Sequence, residues 1–233
     1  VPIEKIISKQ RAKSLAKDIN VNLVTKSQSI NPESLFKEGE NTTHYSIIDN
    51  DGNVVSNTYT LGYSFGSGVT IPGTGILLNN QMNNFAYQYG VPEVIDRSAS
   101  IGNKFEPGKR PMSTMSPIIV FDKNDSIKLI TGSPGGALIP AAILRVVTGV
   151  IDFDLNLGEA SMLPRIHKDW PYENLLLERG FSQDTRNLLE SFGHEIEESK
   201  TMGSTQSILI SSKGVEGFAD LRRPNAGVAI QND

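Results

Sequence analysis

The chain has 233 residues, of which 38% are hydrophobic and 21% charged, which is enough apolar material for the core of one folded domain. Its net charge of −4 provides no basic footprint for nucleic acid or for an anionic membrane surface, and no apolar run approaches the length of a membrane span. The absence of cysteine excludes disulfides, thiolate metal sites and a cysteine nucleophile, and it leaves the cellular compartment open.

The first forty residues predict one helix and one loop. Apolar residues recur at helical spacing behind Ser8, a suitable N-cap, so residues 9–19 predict an amphipathic surface helix. Residues 26–41 are polar and contain Pro32 and Gly39, a composition typical of a loop. That loop ends at a pair of threonines.

A β-hairpin is predicted after this loop. Residues 43–48 read as a half-buried strand, residues 50–52 have turn chemistry, and residues 54–61 predict the returning strand. A threonine hydroxyl is a weak nucleophile unless a base lies beside it, and cutting the chain before the threonine frees an α-amine that serves as that base. Thr42, at the open end of the hairpin, is therefore a candidate N-terminal nucleophile. Taken alone, the doublet is more typical of an ordinary strand start.

Strands and helices alternate in the rest of the chain, which is compatible with an α/β fold. The glycine-rich segment 62–68 lacks the lysine of a phosphate-binding loop, so nucleotide binding is not expected. The three histidines, His44, His167 and His194, are too dispersed for a metal site and are interpreted as structural. The predicted strands are 76–78, 118–121, 128–131, 194–199, 206–211 and 215–220, and the predicted helices are 139–150, 157–163 and 183–192, the last capped by Ser182 and stopped by Gly193.

Three further segments carry polar groups suited to a site. The amides of residues 79–84 suit hydrogen bonding to a polar substrate, although turn formation explains part of this run. Prolines on both sides of Ser113 and Thr114 fix hydroxyls that could bind a carboxylate, and a stiffened loop is the plain alternative. Gly135 and Gly136 open a helix, where two free N–H groups form a suitable oxyanion hole or simply a tight turn.

Four segments, in this order and spacing, together resemble the small subunit of the γ-glutamyltransferase family. They are TTHYSIIDNDGNVVSNTYT (42–60), GILLNNQMNNF (75–85), KRPMSTMSP (109–117) and TGSPGG (131–136). Members of this family are N-terminal-nucleophile hydrolases that mature by self-cleavage. The resemblance implies a four-layer αββα sandwich, of which this chain is the carboxyl-terminal part. It assigns residues 1–41 to the tail of the large subunit and the processing loop, and residues 42–233 to the small, catalytic subunit.

The resemblance also implies a mechanism. Cleavage between Asn41 and Thr42 frees the Thr42 amine, and the Thr42 hydroxyl then attacks a γ-glutamyl amide such as glutathione. Thr60 orients the Thr42 oxygen by a hydrogen bond, and Gly135 and Gly136 stabilise the oxyanion. The resulting γ-glutamyl ester passes to water or to an amino acid, and neither a metal nor an organic cofactor is implied.

The implied partner is the large subunit from the same precursor. It supplies an arginine for the substrate carboxylate, which the positions matching Ser113 and Thr114 also bind. The resemblance favours a periplasmic or secreted enzyme, with a cytoplasmic one still open.

Two departures from the family concern the donor's α-ammonium. The family commonly binds it with Asn, Gln and Asp, and the matching positions here are Gly62, Gln81 and Asn84. Losing the anionic partner of an ammonium costs about 2 kcal/mol or more. The region after Phe85 also departs from typical members, and Arg97 or Lys104 adds positive charge there.

Three functions therefore stay open. The first is a γ-glutamyltransferase or glutathione hydrolase, because the whole catalytic set is present. The second is a related acylase for a glutaryl-type donor that lacks the α-amine. The third is an unprocessed, non-catalytic binding relative.

Overall fold

The computed structural model describes residues 3–27, 41–86, 101–169 and 172–231. Two short helices come first, α1 (Ile3–Ile7) and α2 (Lys9–Ala16). The Ser8 side chain caps α2 by accepting a hydrogen bond from the Arg11 N–H at 3.1 Å. The predicted helix is thus confirmed with an earlier end, whereas α1 was not predicted. Most of the predicted loop over 26–41 lies outside the described residues.

The predicted hairpin is confirmed as β1 (Asn41–Ile48) paired antiparallel with β2 (Val54–Gly62). The Asp49 carboxylate closes the turn by accepting hydrogen bonds from the N–H groups of Asp51 and Asn53. Alternate side chains point to opposite faces of a strand. One face carries the buried side chains of Thr42, His44 and Thr58, and the other carries the exposed rings of Tyr45 and Tyr59.

The main sheet has four antiparallel strands in the order β3 (Ile118–Phe121), β4 (Ile127–Thr131), β8 (Gln206–Ser211) and β9 (Gly214–Ala219). Two helices pack on it, α3 (Ile139–Ile151) and α4 (Leu157–Met162). All six elements confirm the predictions, and α4 begins with a capping box between Asn156 and Glu159. The apolar core between sheet and helices is formed by Leu129, Val146, Val150, Leu157, Ala160 and Leu209.

A smaller sheet contains β5 (Ile166–Lys168), β6 (Asn174–Leu177) and β7 (Glu195–Glu198), with β6 and β7 parallel. Helix α5 (Gln183–Ser191) connects those two strands, capped by Ser182 and followed by Gly193 at φ +93°. Helix α5 and strand β7 confirm the predictions. Strands β5 and β6 were missed because three or four residues are too few to show a period of two.

The β1–β2 hairpin lies against the main sheet. The Ser46 hydroxyl donates to the Gln206 carbonyl at 2.9 Å, and the Ser56 hydroxyl donates to the Thr131 carbonyl at 3.0 Å. The His44 ring packs so closely on Gly132 that a side chain there would collide with it. These contacts bring the Thr42 end of β1 beside the segment that leads to Gly135.

The predicted buried strand at 76–78 is wrong. Ile76 is 59% exposed and Leu78 42% exposed, and Leu77 forms only an isolated bridge with Thr70. A run of three apolar residues does not distinguish a strand from an extended loop. Among the described residues, no helix combines the length and the apolar character that crossing a bilayer would require.

Candidate active site

Thr42 is buried at the start of β1, where the strand pairing is irregular. The register of the β1–β2 pairing shifts between Asn41 and Thr42, and Thr42 lies opposite Thr60. Thr42 is 5% exposed, and its Oγ1 has no hydrogen-bond partner among the described residues. A buried hydroxyl without a partner is costly in a folded protein and is typical of a functional group. The predicted neighbourhood of the two threonines is therefore confirmed.

The predicted hydrogen bond from Thr60 to the Thr42 oxygen is not formed in this structure. The Thr60 hydroxyl oxygen instead accepts a hydrogen bond from the Gly62 N–H at 2.9 Å. This contact holds the end of β2 in the bend that leads away from the hairpin. Thr60 stands directly opposite Thr42, and a hydroxyl that accepts one hydrogen bond keeps its own O–H group as a donor.

A pocket of about 310 Å³ opens beside the nucleophile candidate. The Arg223 guanidinium lies in its wall and donates a hydrogen bond from Nη1 to the Thr42 carbonyl oxygen at 2.7 Å. No sequence motif points to Arg223, because 181 positions separate it from Thr42. The lining residues are Thr42, Thr43, Tyr59, Thr60, Leu61, Tyr63, Ser64 and Arg223.

The structure brings together the three positions predicted for the donor's α-substituent. Gly62 has φ +91°, and its backbone lies against the side chains of Asn80 and Gln81. Asn84 is buried and donates from Nδ2 to the Gln81 Oε1 at 2.8 Å. The Gln81 Nε2 is also buried and has no partner among the described residues. The cluster therefore presents an unused N–H donor and has no carboxylate of its own.

Asn80 was named only as part of the amide run, yet it fills the space beside Gly62. Its Oδ1 accepts a hydrogen bond from the Tyr63 N–H at 3.0 Å, and a Cβ on Gly62 would collide with that same oxygen. A glycine at position 62 and an asparagine at position 80 thus form a matched pair. The departure from the family at Gly62 is visible in the sequence. The sequence does not identify Asn80 as the residue that fills the space beside it.

Asn103 joins this amide cluster to the predicted carboxylate loop. Its buried side chain donates to the Asn84 carbonyl at 2.7 Å and accepts from the Met112 N–H at 3.0 Å. Met112 directly precedes Ser113. Asn103 is not predicted from the sequence, since an isolated asparagine in a polar stretch carries no pattern.

The carboxylate loop also contacts the predicted oxyanion turn. The Thr114 hydroxyl donates to the Gly136 carbonyl at 2.8 Å, and the Ser113 hydroxyl accepts from the Met115 N–H at 3.1 Å. Gly135 and Gly136 have φ values of +136° and +58° and begin a short 3₁₀ turn, Gly136–Leu138, that runs into α3. The first N–H groups of such a turn have no partner within it.

The buried Ser133 links the turn at Gly135 and Gly136 to residues 202–205. The Ser133 hydroxyl donates to the Pro134 carbonyl at 2.6 Å and accepts from the Ser204 N–H at 2.9 Å. A Cβ on Gly135 would lie 3.1 Å from the Cα of Gly203, so the two segments are in close contact. The segment Met202–Thr205 therefore shapes the oxyanion turn.

Four buried charges in turn hold that segment. The Asp220 carboxylate binds the Arg165 guanidinium at 2.6 Å and accepts from the Thr205 N–H at 3.0 Å. The Glu178 carboxylate binds the Arg222 guanidinium at 2.7 Å and accepts from the Met202 N–H at 2.6 Å. Both carboxylates thus combine an ion pair with a backbone contact, which is the arrangement that makes buried charge tolerable.

The electrostatics of these groups differ. Burial acts to raise the pKa of Asp220, but the Arg165 charge, the N–H groups of Arg222 and Thr205 and the Arg222 charge together hold that pKa below its ordinary value. Burial lowers the pKa of His44 to about 4, so this imidazole is neutral near pH 7. Its Nδ1 and Nε2 pair with the hydroxyls of Thr58 and Ser46 at 2.8 and 3.2 Å.

Among the described residues, no cluster of His, Asp or Glu is placed to hold a metal ion.

Known proteins of one family resemble this chain. The family model described as gamma-glutamyltranspeptidase matches residues 1–230. The chain belongs to the γ-glutamyltranspeptidase family. It is 44% identical over 224 residues to the glutathione hydrolase proenzyme of Escherichia coli (strain K12), a match that covers 95% of this chain and 38% of that protein. The chain thus spans about two fifths of the length of this curated relative.

Two solved structures show the fold of this γ-glutamyltranspeptidase family member. The Helicobacter pylori gamma-glutamyltranspeptidase T380A mutant has a TM-score of 0.71 at 39% identity, over 78% of this chain and 100% of that one. A cephalosporin acylase from Bacillus halodurans has a TM-score of 0.76 at 27% identity, over 100% of this chain and 40% of that one. The predicted α/β, N-terminal-nucleophile hydrolase fold is confirmed.

The sequence analysis also named positive charges at Lys104 and Arg97, of which the structure describes only Lys104. Lys104 lies 3.7 Å from the Glu106 carboxylate in an exposed ion pair. Arg97 falls outside the described residues, as do all of residues 87–100, so the predicted departure of the region after Phe85 stays untested.

Proposed function

We propose that this chain belongs to a γ-glutamyltransferase or glutathione hydrolase that cleaves itself between Asn41 and Thr42. The observation that carries the proposal is the buried hydroxyl of Thr42 at the open end of the hairpin, which has no hydrogen-bond partner in the described part of the chain. Residues 1–41 are then the large-subunit tail and processing loop, and residues 42–233 the small subunit. Its partner is the large subunit of the same precursor.

Two acyl transfers use the same nucleophile. In maturation, the Thr42 hydroxyl adds to the Asn41 carbonyl, and the Asn41–Thr42 amide bond breaks to free the Thr42 amine. Water then hydrolyses the resulting ester, which releases the Asn41 carboxylate and restores the Thr42 hydroxyl. In turnover, that amine takes the hydroxyl proton while the oxygen attacks a γ-glutamyl amide. The leaving amine takes the proton, and water or an amino acid then accepts the γ-glutamyl group.

The other described residues have matching roles. The N–H groups of Gly135 and Gly136 stabilise the tetrahedral oxyanion, an effect worth roughly 3 kcal/mol per donor. Ser113 and Thr114 bind the donor carboxylate beside the turn that Thr114 already contacts. Thr60 orients the nucleophile from across the hairpin. Glutathione is the proposed donor, as the name of the Escherichia coli relative suggests.

The intact mass of the full-length polypeptide tests this proposal, with Thr42→Ala beside the wild type. The wild type is expected to give two fragments, the smaller beginning at Thr42, and Thr42→Ala none. Thr43→Ala is the matched control, because it removes the neighbouring, exposed threonine and is expected to cleave. A wild type that stays in one piece would refute self-processing and favour the non-catalytic binding relative.

A second candidate is an acylase for glutaryl-type donors that lack the α-amine. The observation that favours it is the amide cluster, in which Gln81 offers an unused N–H and Asn84 replaces a carboxylate. A hydrogen-bond donor suits an oxygen on the ligand better than an ammonium. The solved acylase relative has a fold similar to this chain.

Matched donors separate the two candidates. The γ-glutamyl and glutaryl 4-nitroanilides share a leaving group and differ only in the α-amine. A higher kcat/KM for the γ-glutamyl compound supports the transferase, and a higher value for the glutaryl compound supports the acylase.

A further inference from the structure

Residues 24–27, here called the anchor segment, dock on the small sheet and on the end of α5. The Val24 N–H donates to the Phe192 carbonyl oxygen at 2.8 Å. Phe192 is the C-cap of α5, and the last carbonyls of a helix have no partner within it. Val24 also lies against Gly193, since a Cβ on Gly193 would lie 3.2 Å from the Val24 Cγ1. The anchor segment therefore binds a carbonyl that the helix itself does not use.

Ser27 makes the second part of this contact. Its N–H donates to the Glu173 Oε1 at 2.8 Å, and its hydroxyl donates to the Tyr172 carbonyl oxygen at 3.0 Å. The other oxygen of this carboxylate, Oε2, binds the Lys168 ammonium at 3.0 Å. Ser27 is thus held through both its main chain and its side chain, beside the strands β5 and β6.

Burial in this part of the chain is confined to the anchor segment. Helices α1 and α2 have no buried side chain. Of the described residues 3–27, only Ser27 is buried, with 1% of its surface exposed. A buried group that loses its hydrogen-bond partner is costly, so the contact with Glu173 favours the docked position.

These contacts cross the proposed cleavage site. The anchor segment precedes the Asn41–Thr42 bond, whereas its partners on the small sheet and α5 follow that bond. In the uncut chain, the anchor segment and β1 are therefore fixed points on either side of residues 28–40. After the bond breaks, the same hydrogen bonds join the two products. None of the residues in this contact lines the pocket beside Thr42.

We propose that Glu173 and the Tyr172 and Phe192 carbonyls form a docking surface for the large-subunit tail, which speeds self-cleavage and retains the tail afterwards. This inference rests on the proposed function. The entropy lost in holding the scissile carbonyl in one orientation grows with the length of chain between fixed points. Without the anchor segment, the next element is α2, which ends at Ala16, so this length about doubles. The scaling of loop closure then predicts cleavage about 3-fold slower.

The rate of self-cleavage in the full-length polypeptide tests the docking surface. Pulse-labelled cell-free synthesis follows the appearance of the small fragment with time. A triple variant removes the Val24 N–H, the Ser27 hydroxyl and the Glu173 carboxylate. We expect it to cleave about 3-fold more slowly than the wild type. Its substitutions are Val24→Pro, Ser27→Ala and Glu173→Ala.

The matched control carries the same kinds of change at three exposed positions of the same segment and sheet, and it is expected to cleave at the wild-type rate. Its substitutions are Leu23→Pro, Thr25→Ala and Glu197→Ala. Ser27→Ala alone removes a single hydroxyl and is expected to cleave at a rate between those of the wild type and the triple variant. This single change keeps the test decisive if the triple variant does not fold.

Turnover separates a role in cleavage from general damage. The kcat/KM for the γ-glutamyl 4-nitroanilide, divided by the cleaved fraction, is expected to be unchanged in the triple variant, because the docking surface lies outside the pocket. Slower cleavage with unchanged turnover supports the inference. A wild-type rate of cleavage, or an equal fall in turnover, overturns it.

Hydrogen exchange measures whether the tail stays bound after cleavage. In the matured wild type, the Ser27 amide is expected to exchange about tenfold more slowly than in the matured triple variant, because its hydrogen bond to Glu173 persists. Equal exchange in the two proteins would overturn retention of the tail. Failure of the proposed function is distinguishable, because the wild type itself would then stay uncut.

Discussion

The Oδ1 of Asn80 occupies the place that a Cβ on Gly62 would need. Gly62 has φ +91°, and the same oxygen accepts the Tyr63 N–H at 3.0 Å. The position at which the family commonly has an asparagine is thus filled here by an amide from another segment. A side chain at position 62 and the present position of the Asn80 amide therefore exclude each other.

Gly62→Asn is therefore expected to destabilise the protein by about 2–3 kcal/mol, because it adds a collision to a left-handed backbone. Adding Asn80→Gly removes the collision and is expected to recover about 1–2 kcal/mol as a coupling energy. A double-mutant cycle of urea unfolding measures this coupling. Gly73→Asn measures the backbone strain alone, since Gly73 has φ +78° and open space around a Cβ. Additive effects of the two changes would contradict the steric pairing.

Local patterns predicted the hairpin, the main sheet and its helices, because turn residues, caps and periodicity are contained in short windows. Thr42 and Thr60 were predicted to be neighbours since a hairpin fixes its own register. Arg223 and Asn103 were not predicted, because they act through tertiary contacts between distant segments. The prediction of a buried strand at 76–78 was wrong because apolar character does not by itself place a residue in the core.

Asn84→Asp is expected to favour donors that carry an α-ammonium. Asn84 now donates to the Gln81 Oε1, so the new carboxylate requires the Gln81 amide to turn over and donate from Nε2. The carboxylate would then provide an anionic partner for the ammonium. We expect the ratio of kcat/KM for the γ-glutamyl over the glutaryl 4-nitroanilide to rise about 10–100-fold. Asn83→Asp adds the same charge at an exposed neighbour and serves as the control. An equal rise in both variants would show a general charge effect and refute a specific contact.

The buried His44 is expected to make stability depend on pH. Its pKa is lowered to about 4 in the folded state from an ordinary value of 6.5. Between these values the unfolded chain binds the additional proton, so stability rises with pH in this window and is lost as the pH falls from 6.5 towards 4.

Thermal unfolding between pH 4 and 7.5 measures this effect in the wild type and in His44→Gln. The variant is expected to lose less stability on acidification, because it lacks the imidazole that takes up one proton on unfolding in this pH window. His194→Gln is the comparison, because His194 is only half-buried and its pKa is also lowered mainly by burial. Parallel curves for wild type and His44→Gln would refute the assignment.

The buried charges of Arg165 and Asp220 are expected to be essential for stability. Asp220→Asn leaves the Arg165 guanidinium, 1% exposed, without its anionic partner. We expect a loss of about 3–5 kcal/mol in urea unfolding. Glu198→Gln breaks the surface pair with Arg179, which is 87% exposed, and is expected to cost at most about 1 kcal/mol.

Asp220→Asn also reports on the oxyanion turn. Asp220 holds the Thr205 N–H, and the neighbouring Ser204 N–H binds Ser133 below Gly135. Asp220→Asn is therefore expected to lower kcat in protein that is still folded, because the Gly135 and Gly136 donors lose their support. Folded Asp220→Asn protein with wild-type kcat would show that the turn keeps its shape without the buried pair.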